Sequence, residues 1–179
     1  YNTPTKIARV REAEYLDHPE LITRGKLAIN VVISPEHLVC RHVQRLIEYP
    51  GALQVLDFAD GHAVLVATRA LVGGALVGHQ IKELRGHLPA TVDARVAAIF
   101  RRGKPVRPEG NTVIEADDEV FFLADRRDIR TVMSELRKLD KPARRVFLAG
   151  GGNIGRALAK AMENSYSVKV LERSRERSK

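Results

Sequence analysis

Residues 146–155 read Val146-Phe147-Leu148-Ala149-Gly150-Gly151-Gly152-Asn153-Ile154-Gly155. Four apolar residues in a row predict a buried strand, and the glycines after them predict a sharp turn. A helix is expected over residues 154–164, with Leu158, Ala161 and Met162 inward. Val168-Lys169-Val170-Leu171 is the next strand, and Glu172 stands where it ends. Strand, glycine turn, helix and strand make one βαβ unit. Inside it, residues 150–155 fit G-x-G-x-x-G in the context that gives this pattern meaning. Gly150 permits the tight turn, Gly152 lets the backbone approach a pyrophosphate, and Gly155 lets the helix pack closely on the strand. The helix N-terminus then offers free N–H groups and partial positive charge to phosphates. Glu172 comes 22 residues after Gly150, where a carboxylate accepts hydrogen bonds from ribose hydroxyls. The predicted dinucleotide or adenine-nucleotide site is Gly150, Gly152, Asn153, Ile154, Gly155, Glu172 and Arg173. Glu172 favours NAD(H) over its 2′-phosphorylated form, although the adjacent Arg173 is suited to accept that phosphate. The alternative is a glycine turn that only packs a helix on a sheet.

Upstream, Asp140-Lys141-Pro142 reads as a linker. Before it lies a region of different texture. Strands over residues 55–59 and 62–67 flank Asp60-Gly61, a strong hairpin signal. A helix is expected over 78–88 with Ile81, Leu84 and Leu88 on one face. Strands are expected over 94–100, at Val106, at Val113-Ile114 and over 119–123. Asp125 is expected to cap a last helix, with Asp128 as its acidic partner and Ile129, Val132, Met133, Leu136 and Leu139 buried. Hairpin-paired strands with one helix between and one after describe a small α+β domain. Closer to the N-terminus, a strand over 6–11 and a short helix over 12–21 precede the apolar run of residues 28–33, which suits a strand buried on both faces. Ser34-Pro35-Glu36 starts a helix. It ends at Pro50-Gly51, with Val39, Val43, Leu46 and Ile47 as its buried stripe. Three regions follow: 1–50, the end of an α/β unit with its crossover helix; 51–140, the α+β domain; and 141–179, the start of a second α/β unit. The fold class is α/β and α+β, partial Rossmann-type parallel units flanking a small α+β domain.

The chain has 179 residues, 44% hydrophobic and 29% charged, as expected of a folded globular protein and not of a disordered one. A single cysteine, Cys40, excludes an intrachain disulfide and a cysteine-based zinc site, and reads as a packing residue. No apolar run approaches the roughly 20 residues that span a bilayer. The first residue is Tyr1 rather than Met, and one βαβ unit precedes Lys179; a piece of a longer protein is expected. The net charge of +8 is concentrated: residues 141–179 hold ten Lys/Arg against three Asp/Glu, while 51–140 hold thirteen of each. Without aromatic residues interleaved for stacking, this reads as a solvated segment rather than a nucleic-acid surface. Arg9 and Arg11 read as edge charges, with phosphate contact the alternative. His37 and His42 read as surface residues, five apart on one helix; His62, His79 and His87 read as isolated. Asp117-Asp118-Glu119 lacks the spaced ligands of a calcium loop and reads as a turn.

Ile7-Ala8-Arg9-Val10-Arg11, residues 46–55 (Leu-Ile-Glu-Tyr-Pro-Gly-Ala-Leu-Gln-Val), residues 95–101 (Arg-Val-Ala-Ala-Ile-Phe-Arg), Asp118-Glu119-Val120-Phe121-Phe122, Val132-Met133-Ser134-Glu135-Leu136 and the glycine motif resemble the TrkA family of bacterial Trk potassium uptake systems. The resemblance runs along essentially the whole chain. It implies a cytosolic regulatory subunit, not an enzyme, peripheral on the inner face of the cell membrane beneath a Trk-type potassium transporter subunit. It also implies tandem nucleotide-binding and small C-terminal (TrkA-C, RCK-type) domains. NAD(H), with ATP or ADP, would be the ligands, and Gly150, Gly152, Gly155 and Glu172 fall on nucleotide-binding positions. Incomplete sheets with exposed edges argue for a homo-oligomer, dimer or tetramer, and no nucleic acid is expected as a partner. The rival reading is an NAD-dependent oxidoreductase, which needs a proton-exchanging residue in 51–140 that the sequence does not single out.

Overall fold

Val64, Val66, Val120 and Phe122 are all fully buried, and the middle of the chain is organised around them. The computed structural model describes residues 3–10, 29–139, 141 and 143–174. The helix expected over 12–21, Arg11, and the ends of the Asp140-Pro142 linker lie outside the described residues.

In chain order the elements are β1 (Ile7–Arg9), β2 (Val31–Ile33), α1 (Pro35–Glu48), β3 (Ala52–Phe58), β4 (Ala63–Arg69), α2 (Leu84–His87), β5 (Ala94–Arg101), β6 (Lys104–Val106), β7 (Glu119–Asp125), α3 (Ile129–Leu136), β8 (Arg145–Ala149), α4 (Asn153–Met162) and β9 (Ser167–Leu171). They fall into two compact units. A terminal unit joins Tyr1–Gln44 with Arg144–Lys179, and a middle unit is Arg45–Ala143.

The middle unit is one five-stranded antiparallel sheet, ordered β3-β4-β7-β5-β6. The turn chemistry sets its hairpins. Ala59, Asp60 and Gly61 all take positive φ and turn β3 into β4, which Asp60-Gly61 signalled. Arg102 and Gly103 have φ of 53° and 74° between the paired Arg101 and Lys104, the backbone pattern of a two-residue hairpin. On one face of the sheet α3 buries Ile129, Val132, Met133 and Leu136, and Leu76, Leu84, Leu88 and Ile114 join the same core. Leu139 packs against it partly buried.

Thr68 on β4 is fully buried, and its hydroxyl donates to the Gly51 carbonyl at 3.0 Å. Thr68→Val keeps the shape and deletes that bond. A loss of about 1 kcal/mol is expected, read as a lower urea midpoint with an unchanged slope.

The terminal unit contains two parallel pairs. β1 lies on β2 in the register Ile7↔Val31, and β8 on β9 in the register Val146↔Val168. Ser34 caps α1, accepting the His37 N–H at 3.3 Å, as expected.

Several sequence expectations are corrected. The strands read as buried are half exposed: Ile33 is 41% and Phe147 63% accessible, because each pairs in a sheet of only two described strands. In α1 the fully buried side chain is Cys40, while Val39 is 43% accessible. In α4 Leu158 and Met162 are buried, but Ala161 is exposed. The helix expected over 78–88 is a 3-10 turn (Ile81–Glu83) and the single turn of α2. Gly78 has φ +90°, and helical geometry starts only at the Gln80–Glu83 capping box. The strand expected at Val113-Ile114 is one isolated bridge, Gln80 to Val113. Asp125 ends β7, with its carboxylate taken by the Arg127 N–H and guanidinium, and Asp128 occupies the cap position without a side-chain bond.

Candidate functional site

β8 ends at Ala149 and the chain turns at Gly150, whose φ is +107°. A side chain there would be strained, so glycine is required by the backbone. The Gly150 N–H donates to the Leu171 carbonyl at 2.8 Å, the last rung tying the loop to β9. Gly151 is buried, and its N–H donates to Glu172 Oε2 at 2.8 Å. Glu172 Oε1 accepts the Ser174 N–H at 2.7 Å. Glu172 is therefore a clamp on the glycine loop.

Gly152 is the N-cap of α4, in extended conformation and without a side-chain cap. The first-turn N–H groups of a helix have no partner within it, and here no side chain supplies one from the cap position. A Cβ on Gly152 would meet open space, whereas one on Gly155 would fall on the carbonyl oxygen of Gly150. The three glycines thus have three separate physical reasons: φ at Gly150, room for a ligand at Gly152, close packing at Gly155.

An open cleft of about 670 Å³ lies over this turn. Gly150, Gly152, Asn153, Ile154 and Gly155 line it. Glu172 stands behind the loop, held by Gly151, and Arg173 is exposed; neither lines the cleft. The structure adds one residue that sequence reasoning missed. Glu36, in the first turn of α1, lines the same cleft, and its Oε2 is buried without a hydrogen-bond partner among the described residues. No spacing could have revealed it, since it is brought from a distant part of the chain. Cys40, one turn on, donates its thiol to the Ile154 carbonyl at 3.5 Å. Burial, and secondarily Glu36, push that thiol above its ordinary pKa, which suits a packing residue and not a nucleophile.

Among the described residues no helix is long and apolar enough to cross a membrane. Residues 65–137 match the TrkA-C domain family. The Trk system potassium uptake protein TrkA of Vibrio alginolyticus is 53% identical over 179 residues, 99% of this chain and 39% of that protein. TrkA of Halomonas elongata is 56% identical over 177 residues, 99% of this chain and 38% of that protein. The chain thus spans about two fifths of the length of these relatives. Among solved structures, the GsuK RCK domain and a GsuK channel bound to NAD each superpose with a TM-score of 0.52 at 16% identity. Each match covers 95% of this chain, and 36% and 30% of those chains. They share the fold.

Proposed function

We propose that this chain, similar along nearly its whole length to Trk system potassium uptake proteins TrkA and matching the TrkA-C domain over residues 65–137, is a regulatory part of such a system, gated by a nucleotide at the loop of residues 150–155. The carrying observation is the cleft over an uncapped helix N-terminus with a positive-φ glycine at its floor. An anion finds free N–H donors and the positive end of the helix dipole there. NAD(H) is the ligand proposed first, with ATP or ADP as adenine-nucleotide alternatives. Glu172, just past the end of β9, is the residue proposed to meet the ribose hydroxyls, and a GsuK channel bound to NAD has the same fold.

The rest of the reading follows from the family. Residues 1–50 close one nucleotide domain, 51–140 form the TrkA-C domain, and 141–179 open a second nucleotide domain. The partner is a Trk-type membrane potassium transporter subunit, met at the cytoplasmic face of the membrane by a homo-oligomer, dimer or tetramer. Nucleotide gates the partner only by binding one conformation of that assembly more tightly than another. No catalytic step is part of this function.

The test is calorimetric titration of NADH into this chain and into one of the length of its relatives, each with Glu172→Gln. The amide retains one acceptor for the Gly151 N–H, so the loop keeps its form. Binding that weakens about tenfold in the variant, equivalent to about 1.4 kcal/mol, supports the reading. Absence of binding in both parent chains assigns the glycine turn a structural role only.

A further inference from the structure

The loop ahead of α2 gathers chemistry that the nucleotide reading does not use. His79 precedes the 3-10 turn, Glu83 ends it, and His87 ends α2. Glu83 and His87, four apart, share one side of this short helical segment, and His79, just ahead of it, meets them there. His79 Nδ1 lies 2.9 Å from Glu83 Oε2. The two imidazoles stand 5.6 Å apart between centroids. One ligand atom from each of His79, Glu83 and His87 lies within 4.8 Å of the others. Zinc holds nitrogen and oxygen donors at about 2.0–2.2 Å, so donors round one ion stand about 3.3 Å apart in a tetrahedron, and small side-chain rotations close the present spread.

A fourth group comes from a different element. Glu135 on α3 places Oε2 3.2 Å from His87 Nδ1, and its own carbonyl is fixed by the Leu76 N–H at 2.8 Å. The carboxylate–imidazole contact is the arrangement that orients a ligating histidine and fixes its tautomer. Buried Leu84 and Leu88 anchor the segment beneath the cluster.

We propose that His79, Glu83 and His87 form a binding site for a divalent transition-metal ion of the zinc class, with Glu135 as the residue that positions His87. Two imidazoles with a carboxylate suit zinc and its neighbours in the first row, whereas magnesium and calcium prefer all-oxygen sets. Three protein ligands leave a fourth position for water or for Glu135 itself. The ion would pin the 79–87 segment to α3 within the TrkA-C region. The site lies in the middle unit and does not depend on the nucleotide cleft.

The experiment is a calorimetric titration of ZnCl2 into the metal-free chain, repeated with CoCl2 while the visible d–d bands are recorded. The expected result is one ion per chain at this site. Its affinity should fall at least about 100-fold in His79→Gln and in His87→Gln, and about tenfold in Glu135→Gln, with the cobalt bands lost in both histidine variants. His62→Gln should bind as the parent does. Far-UV circular dichroism checks each fold; His79 is half exposed, so its variant remains informative should His87→Gln unfold. No binding by the parent, or binding unchanged in a folded His79→Gln chain, overturns the site.

Discussion

Replacing Arg101 by Met is expected to lower the stability of the middle unit by about 3–5 kcal/mol, the range for removing one partner of a buried ion pair. Asp118 has no accessible side-chain surface. It stands just before β7, and Arg101 at the end of β5 meets it with Nε to Oδ1 at 2.8 Å and Nη2 to Oδ2 at 2.9 Å. Such a two-pronged contact is the strong form of the interaction. The same guanidinium reaches Glu115 Oε1 at 2.5 Å and the Val113 carbonyl at 2.9 Å. It thereby ties the irregular 107–118 segment to the sheet. Asp118 and then Glu115 raise the Arg101 pKa above its ordinary value. Without Arg101, the buried carboxylate keeps the Glu115 N–H at 2.8 Å as its donor among the described residues. Asp118→Asn should cost less, about 1–2 kcal/mol, because the guanidinium is 28% accessible and retains Glu115. The exposed Arg69–Glu119 pair at 2.7 Å is the contrast: Arg69→Met should change stability by no more than about 1 kcal/mol. Urea unfolding of the four proteins decides it. An Arg101→Met chain as stable as Arg69→Met would refute the buried pair as a structural keystone.

Gly155→Ala is expected to cut NADH affinity by about 100-fold or more, equivalent to roughly 2.7 kcal/mol. The added methyl falls on the Gly150 carbonyl oxygen. Both groups belong to backbone, so relief requires α4 or the turn to move, at a further cost of about 1–3 kcal/mol in stability. Gly152→Ala separates the two roles. Its methyl meets open space within the protein, so folding should be nearly unaffected. On the proposed reading that space receives the pyrophosphate, so affinity should still drop. Thermal unfolding and calorimetry together read the pair: Gly155→Ala loses both stability and binding, Gly152→Ala binding alone. Parental affinity in both variants would detach the ligand from the glycine loop.

The parts of this fold that the sequence declared are those written in local backbone chemistry. Asp60-Gly61 announces its turn because few residues accept positive φ. The parallel β8–α4–β9 order follows from a glycine turn between an apolar run and an amphipathic helix. What misled was periodicity without regard to caps. Ile81, Leu84 and Leu88 have helical spacing, yet the backbone is helical only from the Gln80–Glu83 box onward. Asp118 looked like part of an acidic turn, and Asp117 does turn, with φ 69°. The burial of Asp118 depends on an arginine 17 positions earlier, and no local pattern encodes that. In sequence alone His79 and His87 read as isolated. Their regular spacing with Glu83 was a signal within reach, whereas Glu135 arrives from α3 and Glu36 reaches the cleft from α1, placements that only tertiary folding creates.

Strand order in the middle unit has a consequence for synthesis on the ribosome. β7 pairs with both β4 and β5, yet it is the last of the five strands to be translated. Fifty positions separate Arg69 from its partner Glu119. At about 5–20 residues per second, the nascent chain carries an unfinished β3–β4 hairpin for roughly 3–10 s. During that interval β4 offers an open ladder of backbone groups to any neighbouring strand. The Val64 and Val66 face, destined for the core, is open to water for just as long. Each polysome therefore holds several such hairpins at once, and chaperone occupancy should rise once Arg69 has left the exit tunnel and fall once Asp125 has.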